Sequence, residues 1–561
     1  MNNLISNRAA ELQREIQALR TGQHATRKLE WTEVVSKVMP EILQAANLQE
    51  NVKAVDSKRR RKCPLARAAV MKLASAYMSY ITPMGEKWFG YKPWNLHQYD
   101  SEQVQEDLID SLNRASDDVF EECEKSNLYN ELFPCFYDLT CTGTMLISCE
   151  FDKTKNELVF KHHPVGTFDL GPEGSEKVAI DFKLTAEQIA KEFPDIDLPG
   201  SVKAALVENS TTEFTITQYV KPRKGGDESY DAVDASTFPY ANIYILKDEN
   251  VVLKEDGYPE FPFAVVRFTR TGNQVYGTSP LLGIEEYIDD LITMDSVTVE
   301  AAKRRAIPPV LIPPDMRGQV SLGAGQQTVV PRHYINSQVP REWALASDTR
   351  ELLDQIAQKG RYLNDAMFIT FLEVISGVPD SHQMTATEVQ AREAEKVMAY
   401  AQPFTQFVSD WKPMQKRIFA ECARNGILDL EDLPEEVMVN TGEERYLSMP
   451  RIAYLGRMAQ ALQRAQLTNT DVSVTRLVEL AKMLQDPELL MFIDWGKLSK
   501  GQAIANGMPA RYMLSRSKVE ELKEQLLTRR QQQITAEQNL MEAEAAEHSA
   551  NAAATIREMN Q

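Results

Sequence analysis

The residue types able to do chemistry are present in this chain but are spaced badly for it. Six cysteines, Cys63, Cys123, Cys135, Cys141, Cys149 and Cys422, form no C-x-x-C pair and match neither a zinc site nor a disulfide framework. The seven histidines are scattered apart from His162 and His163. Two adjacent imidazoles could hold a metal, but these follow the apolar run LVFK and precede Pro164, so a strand end is the better reading. The acidic loop GGDESYDAVD (225–234) lacks the spaced ligands and central glycine of a calcium loop and reads as a solvated turn. Phosphate-loop, dinucleotide, zinc-protease and nucleophile-elbow motifs are absent. Ser279, in the stretch GTSP, stands where a helix cap belongs rather than a nucleophile. The expectation is a protein that is not an enzyme, with no catalytic residue, cofactor or metal, and no ATP hydrolysis of its own.

What remains is a pattern of charge in 275–315, VYGTSPLLGIEEYIDDLITMDSVTVEAAKRRAIPPVLIPPD. Leu281, Ile284, Ile288, Leu291, Met294, Val297 and Ala301 recur at spacings of three and four, which predicts one apolar seam on a helix from Ser279 to Arg305. Beside it runs a second stripe, Glu285, Asp289, Thr293, Ser296 and Glu300. Like charges four apart cost a few tenths of a kcal/mol per pair, so the stripe does not favour the helix by itself. Early acids and the late bases Lys303, Arg304 and Arg305 suit the helix dipole. The dipole does not explain why the helix runs into IPPVLIPPD, a segment its prolines keep extended.

Elements on either side must position that helix. At 561 residues the chain exceeds a single core, which rarely grows past about 250–300 residues. A composition of 43% hydrophobic and 25% charged residues is globular, no run is apolar enough to span a membrane, and the N-terminus lacks a signal-peptide core. The chain is therefore expected to fold in cytoplasm. A net charge of −19 argues against a tight wrapping grip on nucleic acid but permits a sliding one.

Helices are predicted from Leu4 to Leu19, from about Trp31 to Leu48, and along Val70, Leu73, Ala74, Tyr77, Met78 and Ile81, where apolar residues on most sides predict burial up to Thr82-Pro83. The basic run 58–62 reads as a solvated loop. From about Thr144 to Arg270 the period changes to two, and short connections predict antiparallel strands at MLISCEF, ELVFKHH, FTITQYV, NIYIL, NVVLK and FPFAVVRF. A helix capped by Asp348 follows the extended module, with Leu352, Ile356, Leu363, Ala366 and Met367 as its seam, running to Leu372. The polar loop Gly377, Val378, Pro379, Asp380, Ser381, His382, Gln383, Met384 then leads into a helix of about 40 residues capped by Thr385 and ended by Asn425-Gly426, with Pro403 and Pro413 kinking it. The tail from Ser517 is a long helix with a thin stripe.

Four pieces in this order carry a resemblance: LASAYMSYITPMGEKWFGY, CTGTMLI, VYGTSPLLGIEEYIDDL and MTATEVQAREAE. Together they resemble the head-to-tail connector (portal) proteins of short-tailed bacteriophages, most clearly over about 8–425. The first departs from the family's "L-T-P-x-x-x-x-W-F" only in having Ile81 for leucine.

The resemblance implies an α+β, mainly helical subunit. Its parts would be an N-terminal helical portion of a wing (1–100), the β-rich wing (101–276), a first stem helix (277–305) and a small α/β clip (306–346). A second stem helix (347–376), a tunnel loop (377–384) and a long kinked wing helix (385–426) would follow. A helical crown (427–514) and a C-terminal helix, barrel-like or disordered (515–561), would complete it. The implied assembly is a homo-oligomeric ring of about twelve at one capsid vertex of the virion, assembled in host cytoplasm. Implied partners are major capsid and scaffold proteins, the terminase large subunit during packaging, tail adaptor proteins afterwards, and double-stranded DNA in the channel, with no membrane. On this reading Glu285, Asp289 and Glu300 line the channel, where acids repel phosphate and let DNA slide, and Lys303, Arg304 and Arg305 form a band of weak, salt-sensitive contacts. The alternative is a cellular helical scaffold or adaptor without catalytic activity.

Overall fold

The computed structural model describes residues 2–45, 62–94, 102–307 apart from 173, 195, 197, 209–210, 227 and 229–233, most of 309–330, 341–342, 349–370, 401–429, 437–456 apart from 442–443, and scattered residues between 474 and 535. The chain divides into two compact units, Met1–Ala465 and Gln466–Gln561. In the second, the described residues include helical stretches at 476–480 and 524–532. The first holds everything discussed below.

Its β-rich part is two antiparallel sheets. One has three strands in the order β3-β2-β9, with β2 at Thr144–Asp152, β3 at Glu157–His163 and β9 at Phe263–Arg267. The other has five, β4-β5-β6-β7-β8, at Phe168–Leu170, Val178–Thr185, Glu213–Pro222, Tyr240–Leu246 and Val251–Tyr258. The period-two reading located six of these eight strands but missed β4, β5 and the two helices between β5 and β6, Ala186–Glu192 and Gly200–Val207. The first of them begins with a capping box, Thr185 with Gln188.

FTITQYV alternates in sequence, yet the middle of β6 is buried on both faces. The reason is α1 (Asn2–Leu19), whose Leu12 and Ile16 pack on Tyr219, Ala241, Ile243 and Ile245, one face of the five-stranded sheet. The other face closes on Phe214, Ile216, Leu246 and Leu253. Burying each such aliphatic side chain contributes roughly 1.5–3 kcal/mol.

After α1 a π turn at Arg20–His24 leads into α2 (Ala25–Val38), and Pro40 then starts a separate short helix, α3 (Pro40–Ala45). The single helix expected from Trp31 to Leu48 is thus divided, because proline at 40 supplies no N–H to continue it. The next helix, α4 (Pro64–Ala76), continues as a π turn to Ile81 and stops at Thr82 before Pro83, as expected. Val70, Leu73, Ala74, Tyr77 and Ile81 are buried. They meet α5 (Glu102–Lys125) and α6 (Leu128–Thr142) in the largest core, which also takes in Trp88, Phe89, Phe136, Phe407 and Trp411. Among the described residues of the first unit the further helices are α7 and α8, the pair between β5 and β6, then α9 (Glu285–Ala306), α10 (Thr349–Ala366) and α11 (Ala401–Arg424).

Three boundaries differ from expectation. Ser279 does cap, accepting from the Leu281 N–H, but the turn it caps is a 3-10 turn at Pro280–Gly283, and the α-helix begins only at Glu285. α10 is interrupted after Ala366, where Phe368 takes a left-handed φ of 59°, Ile369 and Thr370 are again helical, and the expected end at Leu372 lies outside the described residues. Within 306–346, past the end of α9 at Ala306, the described residues hold a two-stranded ribbon, β10 (Val310–Leu311) with β11 (Arg341–Glu342), and a 3-10 turn, but no further α-helix. The loop 377–384, the Asp348 and Thr385 caps, and most of the tail lie outside the described residues.

Candidate functional site

Among the polar residues that stand together in space are those that hold the α9–α10 hairpin to the body. The anchor begins at Gly143, which ends α6 with a left-handed φ of 87° and donates its N–H to the Leu139 carbonyl at 3.0 Å. A Cβ there would lie 2.4 Å from the Ser279 nitrogen, and one on Gly277 would lie 2.1 Å from the Gly143 oxygen. Two backbones therefore cross at a distance only glycine permits. The crossing is tied on all sides. Gly277 N–H donates to the Thr144 hydroxyl at 2.8 Å, the Ser279 hydroxyl donates to the Thr140 carbonyl at 2.5 Å, and the Trp31 indole N–H donates to the Thr142 carbonyl at 3.1 Å. Thr140, Thr142 and Thr144 are fully buried. CTGTMLI and VYGTSPLLG, far apart in sequence, form a single joint.

Beyond the joint, α9 is buried only at its start. Leu281, Ile284, Ile288 and Leu291 are in the core, Met294 is half-buried, and Val297 is 46% exposed. The expected seam thus loses its cover about halfway along. The helix runs antiparallel to α10, as successive contacts show. Tyr287 stacks on Tyr362 with ring centroids 4.7 Å apart, and Asp290 pairs with Lys359, whose ammonium also lies 4.9 Å from the Tyr287 ring centre. At the far end, pairing of β10 with β11 brings the chain back from the extended segment.

The acids singled out in sequence differ in their surroundings. Asp289 is exposed and bonded to Lys37 of α2 at 2.8 Å, and Lys37 also reaches Glu33 at 3.1 Å. Glu285 is partly covered. Burial first, and the neighbouring Glu33 next, push its carboxyl above the usual range. Glu300 is exposed and bonds Arg304 one turn on at 2.6 Å, while Lys303 and Arg305 are exposed on the last turn. The structure therefore groups Glu285 and Asp289 with Glu33 and Lys37, and Glu300 with Arg304. Sequence reasoning missed Tyr287, Asp290, Lys37 and Lys359. The last two lie in other helices, and no local spacing points to them.

The histidines behave as a strand end. His162 Nε2 lies 2.8 Å from Asp138, and His163 Nε2 lies 2.9 Å from the Ser148 hydroxyl. Burial, then Lys161 and His162, pull the His163 pKa down to about 3. All six cysteines are free and buried, and no group of three metal-binding side chains occurs among the described residues. No described helix is long and apolar enough to cross a membrane.

The hairpin of two helices is thus anchored at one end by a glycine crossing and largely uncovered along its outer half. The chain belongs to the bacteriophage head to tail connecting protein family, whose model matches residues 9–514. Among curated proteins it is similar to the portal protein of Salmonella phage epsilon15, 25% identical over 489 residues, covering 85% of this chain and 83% of the relative. It is also similar to the probable portal protein of Bordetella phage BPP-1, 23% identical over 342 residues and 59% of each chain. A solved chain from the neck of an empty GTA particle matches 70% of this chain and 93% of its own at 9% identity, but its TM-score of 0.29 carries no argument.

Proposed function

We propose that this chain is the portal subunit of a phage head, and that copies of it close into a ring of about twelve around a DNA channel. The observation that supports the reading most is the uncovered outer half of the α9–α10 hairpin in a chain that belongs to the head to tail connecting family. On this reading α9 and α10 are the stem, the segment 306–346 is the clip that meets the terminase and later the tail proteins, and the β-rich part with α11 is the wing. Loop 377–384 is the tunnel loop. Capsid and scaffold proteins surround the wing, and the ring serves as the conduit for packaging and ejection in the virion.

The charge follows from that role. A ring of chains with a net charge of −19 repels phosphate at close range, which keeps a duplex centred and free to slide. Glu300, with Glu285 and Asp289 nearer the body, would line the wall, and Lys303, Arg304 and Arg305 would give salt-sensitive contacts near one mouth. Membership of the phage family removes the cellular adaptor alternative.

Negative-stain imaging of the purified chain without nucleic acid tests the ring. Closed annuli with a central hole are expected, and a folded monomer at every concentration would sink the reading. Ser381→Trp tests the loop. Repeated around a ring it would obstruct a duplex, so normal rings in empty or partly filled capsids are expected, and full packaging would remove the loop from the channel.

A further inference from the structure

An open groove of about 920 Å³ lies between α11, one end of the five-stranded sheet and the strand Arg451–Tyr454, which pairs with the strand Phe89–Lys92. This is the upper end of the size range for small-molecule pockets, large enough for a short peptide. Its floor is apolar, with Tyr240, Phe261, Leu447 and Met449 half-buried. At its end Trp94 is 62% exposed even though its indole N–H is fixed by the Met449 carbonyl at 2.8 Å.

The wall contributed by α11 has two unusual properties. Lys412 and Lys416, one turn apart, are exposed, and so is Arg451 across from them. None of the three forms an ion pair among the described residues, while the nearby buried carboxylate, Glu260, is already taken by Arg417 and Arg424. Pro413 has no N–H, so the Ser409 carbonyl lacks its helical donor on the wall that both residues line. The preceding carbonyl, of Val408, shows what such a group can accept, since it takes the Tyr454 hydroxyl at 3.2 Å.

We infer that this groove binds an extended peptide segment of a partner protein, one that carries carboxylates beside a bulky apolar side chain. The carboxylates meet Lys412, Lys416 and Arg451. A peptide N–H donates to the Ser409 carbonyl, and the apolar side chain covers Phe261 and Met449. Glu176 and Glu228 also line the groove, and they repel a carboxylate placed beside them, which favours its seating at the cations. Three exposed cations with no ion pair among the described residues, on a chain of net charge −19, favour an acidic ligand at this place. The inference concerns the body and stands whether or not the chain forms a ring.

The test uses the full chain and three labelled probes. These are a short peptide alternating glutamate with leucine and phenylalanine, the same peptide with lysine for glutamate, and a duplex DNA. Only the acidic peptide is expected to bind, with hydrogen exchange slowed across 408–416 and 446–452. K412E/K416E is expected to weaken it about tenfold, and R451E, on the other wall, to weaken it independently. All three positions are exposed, and melting curves matching the unaltered chain confirm that the variants fold. Absence of binding by the acidic peptide, equal binding of the lysine peptide or DNA, or unchanged affinity in both variants would each overturn the proposal.

Discussion

The body of the first unit and the α9–α10 hairpin are built by opposite means. In the body, aromatic side chains interlock. Trp411 is fully buried, lies parallel to Phe407 at 5.5 Å and contacts Trp88 at 6.2 Å, and its indole donates to Gln415. The outer hairpin instead relies on Tyr287 against Tyr362 and on exposed ion pairs, while Val297, Val299 and Leu353 face water. Exposed pairs contribute about 0–1 kcal/mol each, so the hairpin gains little stability of its own. The contrast teaches that the body is held by its own core, whereas the outer hairpin leaves Val297, Val299 and Leu353 uncovered, and on the proposed function these would meet neighbouring subunits.

The largest effect that would sharpen this contrast comes from the body. Trp411→Ala leaves a large cavity among aromatic rings and is expected to cost about 3–5 kcal/mol in denaturant unfolding. A loss below about 1 kcal/mol would mean that this core is not the source of stability.

Next comes the joint between the two regions. Gly143→Ala combines a left-handed backbone with a backbone clash and is expected to cost about 1–3 kcal/mol from strain alone. Because the clash falls on Gly277–Ser279, ring formation should suffer more than the fold does. Rings of normal geometry on imaging would show that the crossing does not set the hairpin's direction.

Acid separates the regions in another way. The unfolded His163 imidazole takes its proton near pH 6.5, the folded one only near 3, so the unfolded chain binds more protons between those values. Stability of the body is expected to fall as pH drops from 6.5 towards 3, by at most about 1.4 kcal/mol per unit from this group. Thermal melts of His163→Gln should show a shallower slope, and an unchanged slope would point to other groups.

The smallest effect on folding belongs to the hairpin surface. Val297→Ser with Leu353→Ser should change unfolding free energy by about 0.5 kcal/mol or less, because both side chains already face solvent. The same pair should abolish or weaken closed rings, measured by light scattering. Wild-type rings from this variant would show that the exposed stripe is not a subunit contact.

How much of this was legible depended on whether the cause was local. The period-two stretch located six of the eight strands of the two sheets, and the seam over Leu281–Leu291 located the buried start of α9, because alternation and helical spacing act within a few residues. Capping signals were weaker guides. Ser279 caps as its sequence demands, but Gly283 lies in a 3-10 turn that postpones the α-helix. Alternation in β6 did not reveal that α1 would cover its second face, since that cover comes from some 200 residues away in the chain.

The sequence by itself determined the absence of catalytic and phosphate-binding motifs, the acidic balance, the strand-rich middle and the proline-ended charged helix, all properties of residue type and spacing. Only the tertiary structure decided that Gly143 and Gly277 share one crossing, that Asp289 pairs with Lys37 and Asp290 with Lys359, and that α9 is covered for only half its length. These depend on which distant backbones come within a few ångströms of each other. A short-range pattern states that a residue is charged, small or apolar, but the partner that gives it a role is chosen by packing.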